Sequence, residues 1–339
     1  YIPDGTDVAG GMFEIIEQLL FHPLLPDGHF SEAYVESEKR IRLDAIRSAR
    51  RDPGAYAALR CRELLYGDDP CAVSQLGTEQ LVKGFTKEDL LAEAERLFGG
   101  NSRSGIPLQF VYVGGMSPDD MVRRLGERFG RYTAKKSPAF PVPAPHFTGV
   151  LHCFEEEMPV SQSRLIIAVP TGVTLTSPDF YAMLVLNEML GVSPVSKLFV
   201  NVREKRSLCY HCSSSYDFYR GVICIRSGIR KENREAATDA IFAQLDALRK
   251  GEFTDEEVRI AKKSLCNSYR QIYDNPAAIE GYAFGRALYG VRTSVEETVR
   301  YFSVVTREEL IAVAGKMNPE VLFFLGGTES GKEGDDDEN

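Results

Sequence analysis

The chain has 339 residues, 43% hydrophobic and 26% charged, with a formal net charge of -9. This composition excludes collagen-like, low-complexity and largely disordered chains, and the length suits about two domains that each bury a core. The acidic balance argues against nonspecific nucleic-acid binding, and no run of about 18 apolar residues offers a membrane span.

The first predicted elements are helical. Phe30-Ser31 opens a charged helical stretch that Asp52-Pro53 breaks, and the next segment closes on Leu65-Tyr66-Gly67. Leu108 to Val113 reads as a closing strand, followed by Gly114-Gly115. Tyr132 to His146 carries Pro138, Pro141, Pro143 and Pro145 and reads as a linker. Beyond it, Leu165-Ile166-Ile167-Ala168-Val169 is a short apolar run with the look of a buried strand. Ser177-Pro178 is read as the start of a helix reaching about Leu190. Asn233 is expected to cap a helix with Ala237, Ile241, Leu245 and Leu248 on one face. Thr254 with Glu257 forms a capping box, ahead of a stripe of Val258, Ala261, Leu265, Tyr269 and Ile272. Thr306 with Glu309 forms another box, and Val321 to Leu325 reads as the last strand.

These landmarks repeat. Phe30-Ser31, Asp52-Pro53 and Leu65-Tyr66-Gly67 match Phe253-Thr254, Asn275-Pro276 and Leu288-Tyr289-Gly290 at an offset of 223. Thr86 to Leu90 matches Thr306 to Leu310 at 220, and Tyr112 to Gly115 matches Phe324 to Gly327 at 212. The chain therefore reads as two copies of one α+β module, each with helices packed on one face of a mixed, mostly antiparallel sheet. The expected division is 1–132 for the first module, 133–147 for the linker, 148–328 for the second and 329–339 for an acidic tail. The first copy is shorter at its front, which is read as a piece removed.

The most informative stretch is Ser196-Lys-Leu-Phe-Val-Asn-Val-Arg203-Glu-Lys-Arg-Ser-Leu-Cys-Tyr210. It resembles a phrase of the pitrilysin and insulinase family of zinc peptidases, the inverzincins that include the mitochondrial processing peptidases. Gln75 to Glu79, Phe85 to Leu90 and Glu36 to Ile46 resemble further passages of that family, in the same order. The resemblance implies the LuxS and processing-peptidase type of metallopeptidase fold. It also implies that Arg203 and Tyr210 face a zinc site across a chamber. There a tyrosine hydroxyl can donate to the developing oxyanion, and a guanidinium can grip substrate carbonyls.

The family's catalytic module carries H-x-x-E-H on a helix plus a downstream glutamate ligand. No H-x-x-E-H occurs in the chain. The resemblance puts Glu38 at the glutamate that stands seven residues before the third ligand, and Ala45 at the third ligand itself; alanine cannot ligate a metal, and Asp44 lies about 100° round the helix. The implied role is a bacterial noncatalytic-type subunit that binds no cofactor itself and lends Arg203 and Tyr210 to a zinc-bearing homologous partner, or forms a homodimer, around a peptide substrate. Two alternatives stand beside it: a zinc-dependent metalloendopeptidase with its H-x-x-E-H ahead of Tyr1, and a scaffold with the same fold. Leu190 to Pro194 is too short to be the long glycine-rich loop of the mitochondrial noncatalytic subunit.

Other motifs are weaker. Cys209-Tyr-His-Cys212 lacks a second pair at zinc spacing and reads as small residues filling a strand. The seven cysteines are odd in number and scattered, which suits reduced thiols in the cytoplasm. His22, His29, His146 and His152 are isolated and read as surface residues. Ser213 to Ser215 lacks a nucleophile elbow, Arg47 to Arg51 reads as a solvated helix end, and Gly114-Gly115 and Gly326-Gly327 lack the dinucleotide pattern.

Overall fold

A strand as uniformly apolar as Leu165 to Val169 needs cover on both faces. The computed structural model of the protein, which describes residues 7–98, 109–132 and 147–327, supplies it. Six helices come first: α1 (Val8–Phe21), α2 (Glu32–Arg51), α3 (Pro53–Tyr66), α4 (Glu79–Gly84), α5 (Lys87–Phe98) and α6 (Pro118–Phe129). Then follow β1 (His152–Met158), β2 (Ser163–Pro170), α7 (Phe180–Asn187), β3 (Cys209–Asp217), β4 (Val222–Ile229), α8 (Arg234–Arg249) and α9 (Asp255–Arg270). The last elements are α10 (Pro276–Leu288), α11 (Val295–Val304), α12 (Arg307–Ala314) and β5 (Val321–Gly327). The linker residues 133–146, with His146, lie outside the described residues, as do Leu108 and the acidic tail.

Packing separates two compact units, and the division falls within α2. The first holds the described residues of 7–47 and 76–132, and the second those of 48–75 and 147–327.

In the first unit a buried carboxylate organises the helices. Glu17 of α1 pairs with Arg128 and Arg131 and accepts from the Tyr132 hydroxyl at 2.9 Å. The Arg131 guanidinium holds the Glu17 carboxyl below the ordinary carboxylate range. Phe21 stacks on Tyr132 with ring centroids 3.7 Å apart, over the buried Phe129. The strand expected to run from Leu108 to Val113 does not form over 109–113, and among its described residues this unit has no strand. An extended segment becomes a strand only beside a partner that completes its ladder, and none is described here.

The second unit is built on a five-stranded sheet in the order β1-β5-β2-β4-β3. β1 runs parallel to β5, and every other neighbouring pair is antiparallel. Strand alternation splits the apolar residues between the faces. Leu165, Ile167, Val169, Leu322 and Phe324 meet buried residues of α7, α8, α9 and α12. Ile166, Ala168, Phe323 and Leu325 meet Ala57 and Cys61 of α3. So α3, from the first half of the sequence, covers the sheet's other face. Tyr56 and Arg60 anchor it to Glu156 of β1, the hydroxyl donating at 2.6 Å and the guanidinium Nε at 2.9 Å.

Local signals hold where they depend on neighbours in sequence. The Thr254–Glu257 and Thr306–Glu309 boxes both form. The repeat's paired landmarks take matching local shapes. Asp52 caps α3 as Asn275 caps α10, each followed by proline, and Gly67 and Gly290 both take positive φ after those helices. Two caps differ from expectation. Ser177 accepts from the Thr174 amide at 2.8 Å within a turn, so its hydroxyl is engaged and α7 begins only at Phe180. The Asn233 amide donates to the Leu208 carbonyl at 3.1 Å instead of capping α8. α7 also ends early, passing into a π-helical turn over Glu188–Val192.

Candidate functional site

Residues 196–210 form a connection whose buried half fixes its exposed half. Ser196, Lys197, Leu198 and Val202 are buried, while Arg203 points outward from a π-helical turn over Phe199–Glu204. The Arg203 guanidinium sits 4.7 Å from the Phe199 ring centroid, a cation–π contact one turn back along the helix. Lys197 ties the segment to the box that starts α9, with its Nζ 3.0 Å from Glu257 Oε1 and donating to the Glu252 carbonyl at 2.9 Å. Lys197→Met should therefore cost about 2 kcal/mol of stability by leaving both acceptors short of a donor. A lower urea midpoint at unchanged slope would register that loss; an unmoved midpoint would show that the tie is not needed.

The segment turns into β3 through Ser207, whose φ of 52° is left-handed and costly for a residue with a Cβ. The register of β3 on β4 then slips between Cys209 and His211, a bulge that leaves Tyr210 unpaired. Tyr210 projects from the sheet at 55% exposure, and its hydroxyl oxygen accepts from Arg230 Nε at 3.4 Å. Arg203 and Tyr210 both line a cavity of about 660 Å³ with Glu204, Ser207, Cys209 and Arg230. They also line a neighbouring hollow of about 400 Å³, bounded by Gly191, Val192, Pro194 and Phe199. The structure thus brings both sequence-predicted residues to one concave surface. Gly191, on the rim of the smaller hollow, lets its turn approach β3 closely: a Cβ there would stand 2.5 Å from the Ser214 amide nitrogen.

α7 precedes this surface and carries no histidine. Its last residue, Asn187, accepts from the Ser214 hydroxyl at 2.8 Å, and burial pushes the Glu188 carboxyl upward. In the first unit, Glu38 is exposed on α2 and Ala45 presents a half-buried methyl. Asp44 is exposed and pairs with Arg47 at 3.6 Å. Among the described residues no three His, Cys, Asp or Glu side chains gather in a way that could hold a metal. A zinc ligand needs a lone pair, and the residues at these positions do not fit the ion. His22 lies 3.1 Å from the Tyr132 hydroxyl, and His29 lies 3.9 Å from Glu88, away from any such cluster.

Sequence reasoning did not single out Arg230 or Gly191. Neither belongs to a motif with Arg203; only the pairing of β3 with β4 and the turn after α7 bring them to the surface.

The family described as Peptidase M16 inactive domain matches residues 84–265, more than half of the chain and including Arg203 and Tyr210. The chain belongs to that family. This inactive-type M16 chain is 26% identical over 331 residues to the Bacillus subtilis protein named "Probable inactive metalloprotease YmfF", covering 97% of its own length and 76% of that relative's. A conserved protein of Enterococcus faecalis superposes on the M16 chain with a TM-score of 0.85 at 25% identity, over 97% of this chain and 76% of that one. A peptidase M16 inactive domain of Pseudomonas fluorescens does so at 0.80 and 22%, over 97% and 77%. The mixed α+β architecture of the M16 chain is thus shared with solved structures. Among its described residues no helix is long and apolar enough to cross a membrane.

Proposed function

We propose that this chain is the noncatalytic subunit of a two-subunit zinc peptidase, enclosing an extended peptide and presenting Arg203 and Tyr210 to the zinc site of an H-x-x-E-H partner. The observation that carries this reading is the shared placement of those two side chains on one open concavity rather than in packed protein. A scaffold that handled no peptide would have no call for an exposed guanidinium and an exposed phenol on a single cavity wall. Ala45 supports the noncatalytic assignment, because its methyl can neither ligate zinc nor activate water.

The chemistry divides between the two residues. The guanidinium presents several N–H donors in a fixed fork, suited to successive peptide carbonyls. The tyrosine O–H is suited to the oxygen that gains charge when water adds to the scissile carbonyl. Seven free cysteines support a cytoplasmic setting, and the partner is a homologous catalytic chain or a second copy of this one.

The test is binding. An unstructured fluorescent peptide titrated against the chain, read by anisotropy, should bind at least about tenfold more weakly to Arg203→Ala. Equal affinity would remove the role given to Arg203. Peptide cleavage by the chain alone, with one equivalent of retained zinc, would favour an active peptidase instead.

A further inference from the structure

The bulge in β3 has a second consequence. Along a regular strand, residues 209 and 212 would face opposite sides of the sheet. The extra residue at Tyr210 resets the alternation, so Cys209 and Cys212 both pack on the face covered by α7, α8, α9 and α12. There Cys212 and the Ser227 side chain of β4 lie close enough to Cys209 to favour its charged form, and the Arg203 guanidinium adds to that effect. Cys212 is buried, whereas Cys209 is half-buried and lines the 660 Å³ cavity. One sulfur of the pair is thus closed off and the other open.

We propose that Cys209 is a reactive thiolate that captures an anionic small-molecule disulfide of the glutathione class as a mixed disulfide inside the cavity. The Cys209 sulfur attacks one sulfur of the incoming disulfide. A new S–S bond forms, the old one breaks, and the departing thiolate leaves with the electron pair and takes a proton from water. The incoming disulfide is the oxidant, and no other is needed. Cys212 is a positioning residue: on the same face as Cys209, it stabilises the negative charge there. Arg203 and Arg230 supply positive charge on the wall, against the single carboxylate of Glu204, which suits a carboxylate-bearing adduct. The neighbouring Cys212 outweighs burial and, with Ser227 and Arg203, holds the Cys209 thiol below its ordinary range, while the same contact and burial push Cys212 up. An adduct at Cys209 would lie beside Arg203 and Tyr210 and occupy the cavity assigned above to peptide.

The experiment needs neither a partner nor a peptide, so its result is separate from that of the proposed function. The intact chain is pulsed with iodoacetamide between about pH 6 and 9, and labelled cysteines are quantified by peptide mass spectrometry. A thiol held below its ordinary range is more fully ionised at pH 7 than a free one, and lower intrinsic nucleophilicity returns part of that gain. Cys209 should therefore label about threefold faster than the exposed Cys153 at pH 7, with a lower midpoint than Cys153. Cys212→Ala should raise the midpoint, and Cys212→Ser, which keeps a donor, should raise it less. Glutathione disulfide should add a single glutathionyl group, located at Cys209. Labelling no faster than Cys153, a wild-type midpoint above about 8, or an adduct located elsewhere would each overturn the proposal. The wild-type profile decides the matter even where the Cys212 variants fail to fold.

Discussion

Tyr210→Phe is expected to lower kcat of the assembled peptidase pair by about 10²-fold while KM changes little. The ring stays, so the cavity keeps its shape. Only the hydroxyl is lost, and its work falls at the moment when the scissile oxygen becomes negative. Arg230 Nε already donates to the Tyr210 oxygen, which leaves the phenolic hydrogen free to point elsewhere. Arg203→Ala should show the opposite split, raising KM more than it lowers kcat, because a guanidinium grips ground state and transition state alike. The measurement is steady-state hydrolysis of an unstructured peptide by this chain mixed with an H-x-x-E-H homologue. Unchanged turnover for Tyr210→Phe would remove the tyrosine from the chemistry.

Phe324→Ala should cost about 3–5 kcal/mol, a large part of the stability of a typical domain. Phe324 lies in β5, hydrogen-bonded between β1 and β2, and no part of its side chain is exposed. Its ring packs in the larger of the sheet's two apolar clusters, and the Arg234 guanidinium lies 4.6 Å from its centroid. Truncation leaves a cavity in the middle of the sheet and uncovers the aliphatic stem of that arginine. Phe154 offers the contrast: it sits on the edge strand β1 at 36% exposure, and Phe154→Ala should cost less than about 1 kcal/mol. Urea unfolding of the two variants side by side reads the difference. Equal midpoints would mean that β5 is not the centre of the core.

The part of the candidate site legible in the sequence was the run from Ser196 to Tyr210, because the segment is continuous. Its buried residues, Ser196, Lys197, Leu198 and Val202, come first, and the exposed run from Arg203 to Ser207 follows. The cavity around it was not legible. Arg230 reaches Tyr210 only through the antiparallel pairing of β3 with β4, and Gly191 approaches Ser214 only because α7 ends in a widened turn. The bulge was equally hidden. Cys209 and Cys212 read as ordinary strand residues until the slipped register turned both sulfurs to one side.

By itself the sequence determined what depends on contacts three or four residues apart. The Thr254 and Thr306 boxes and the buried stripe of α8 all form where their spacing places them. It also determined that position 45 offers zinc no lone pair. Only the tertiary structure decided that α3 closes the second face of the sheet, that β1 lies parallel to β5, and that residues 109–113 form no strand. The physical reason is the same in each case. A cap or an amphipathic stripe is satisfied by its own neighbours, whereas a ladder or a sheet face is satisfied only by whichever distant segment reaches it, and that choice is made by the whole fold.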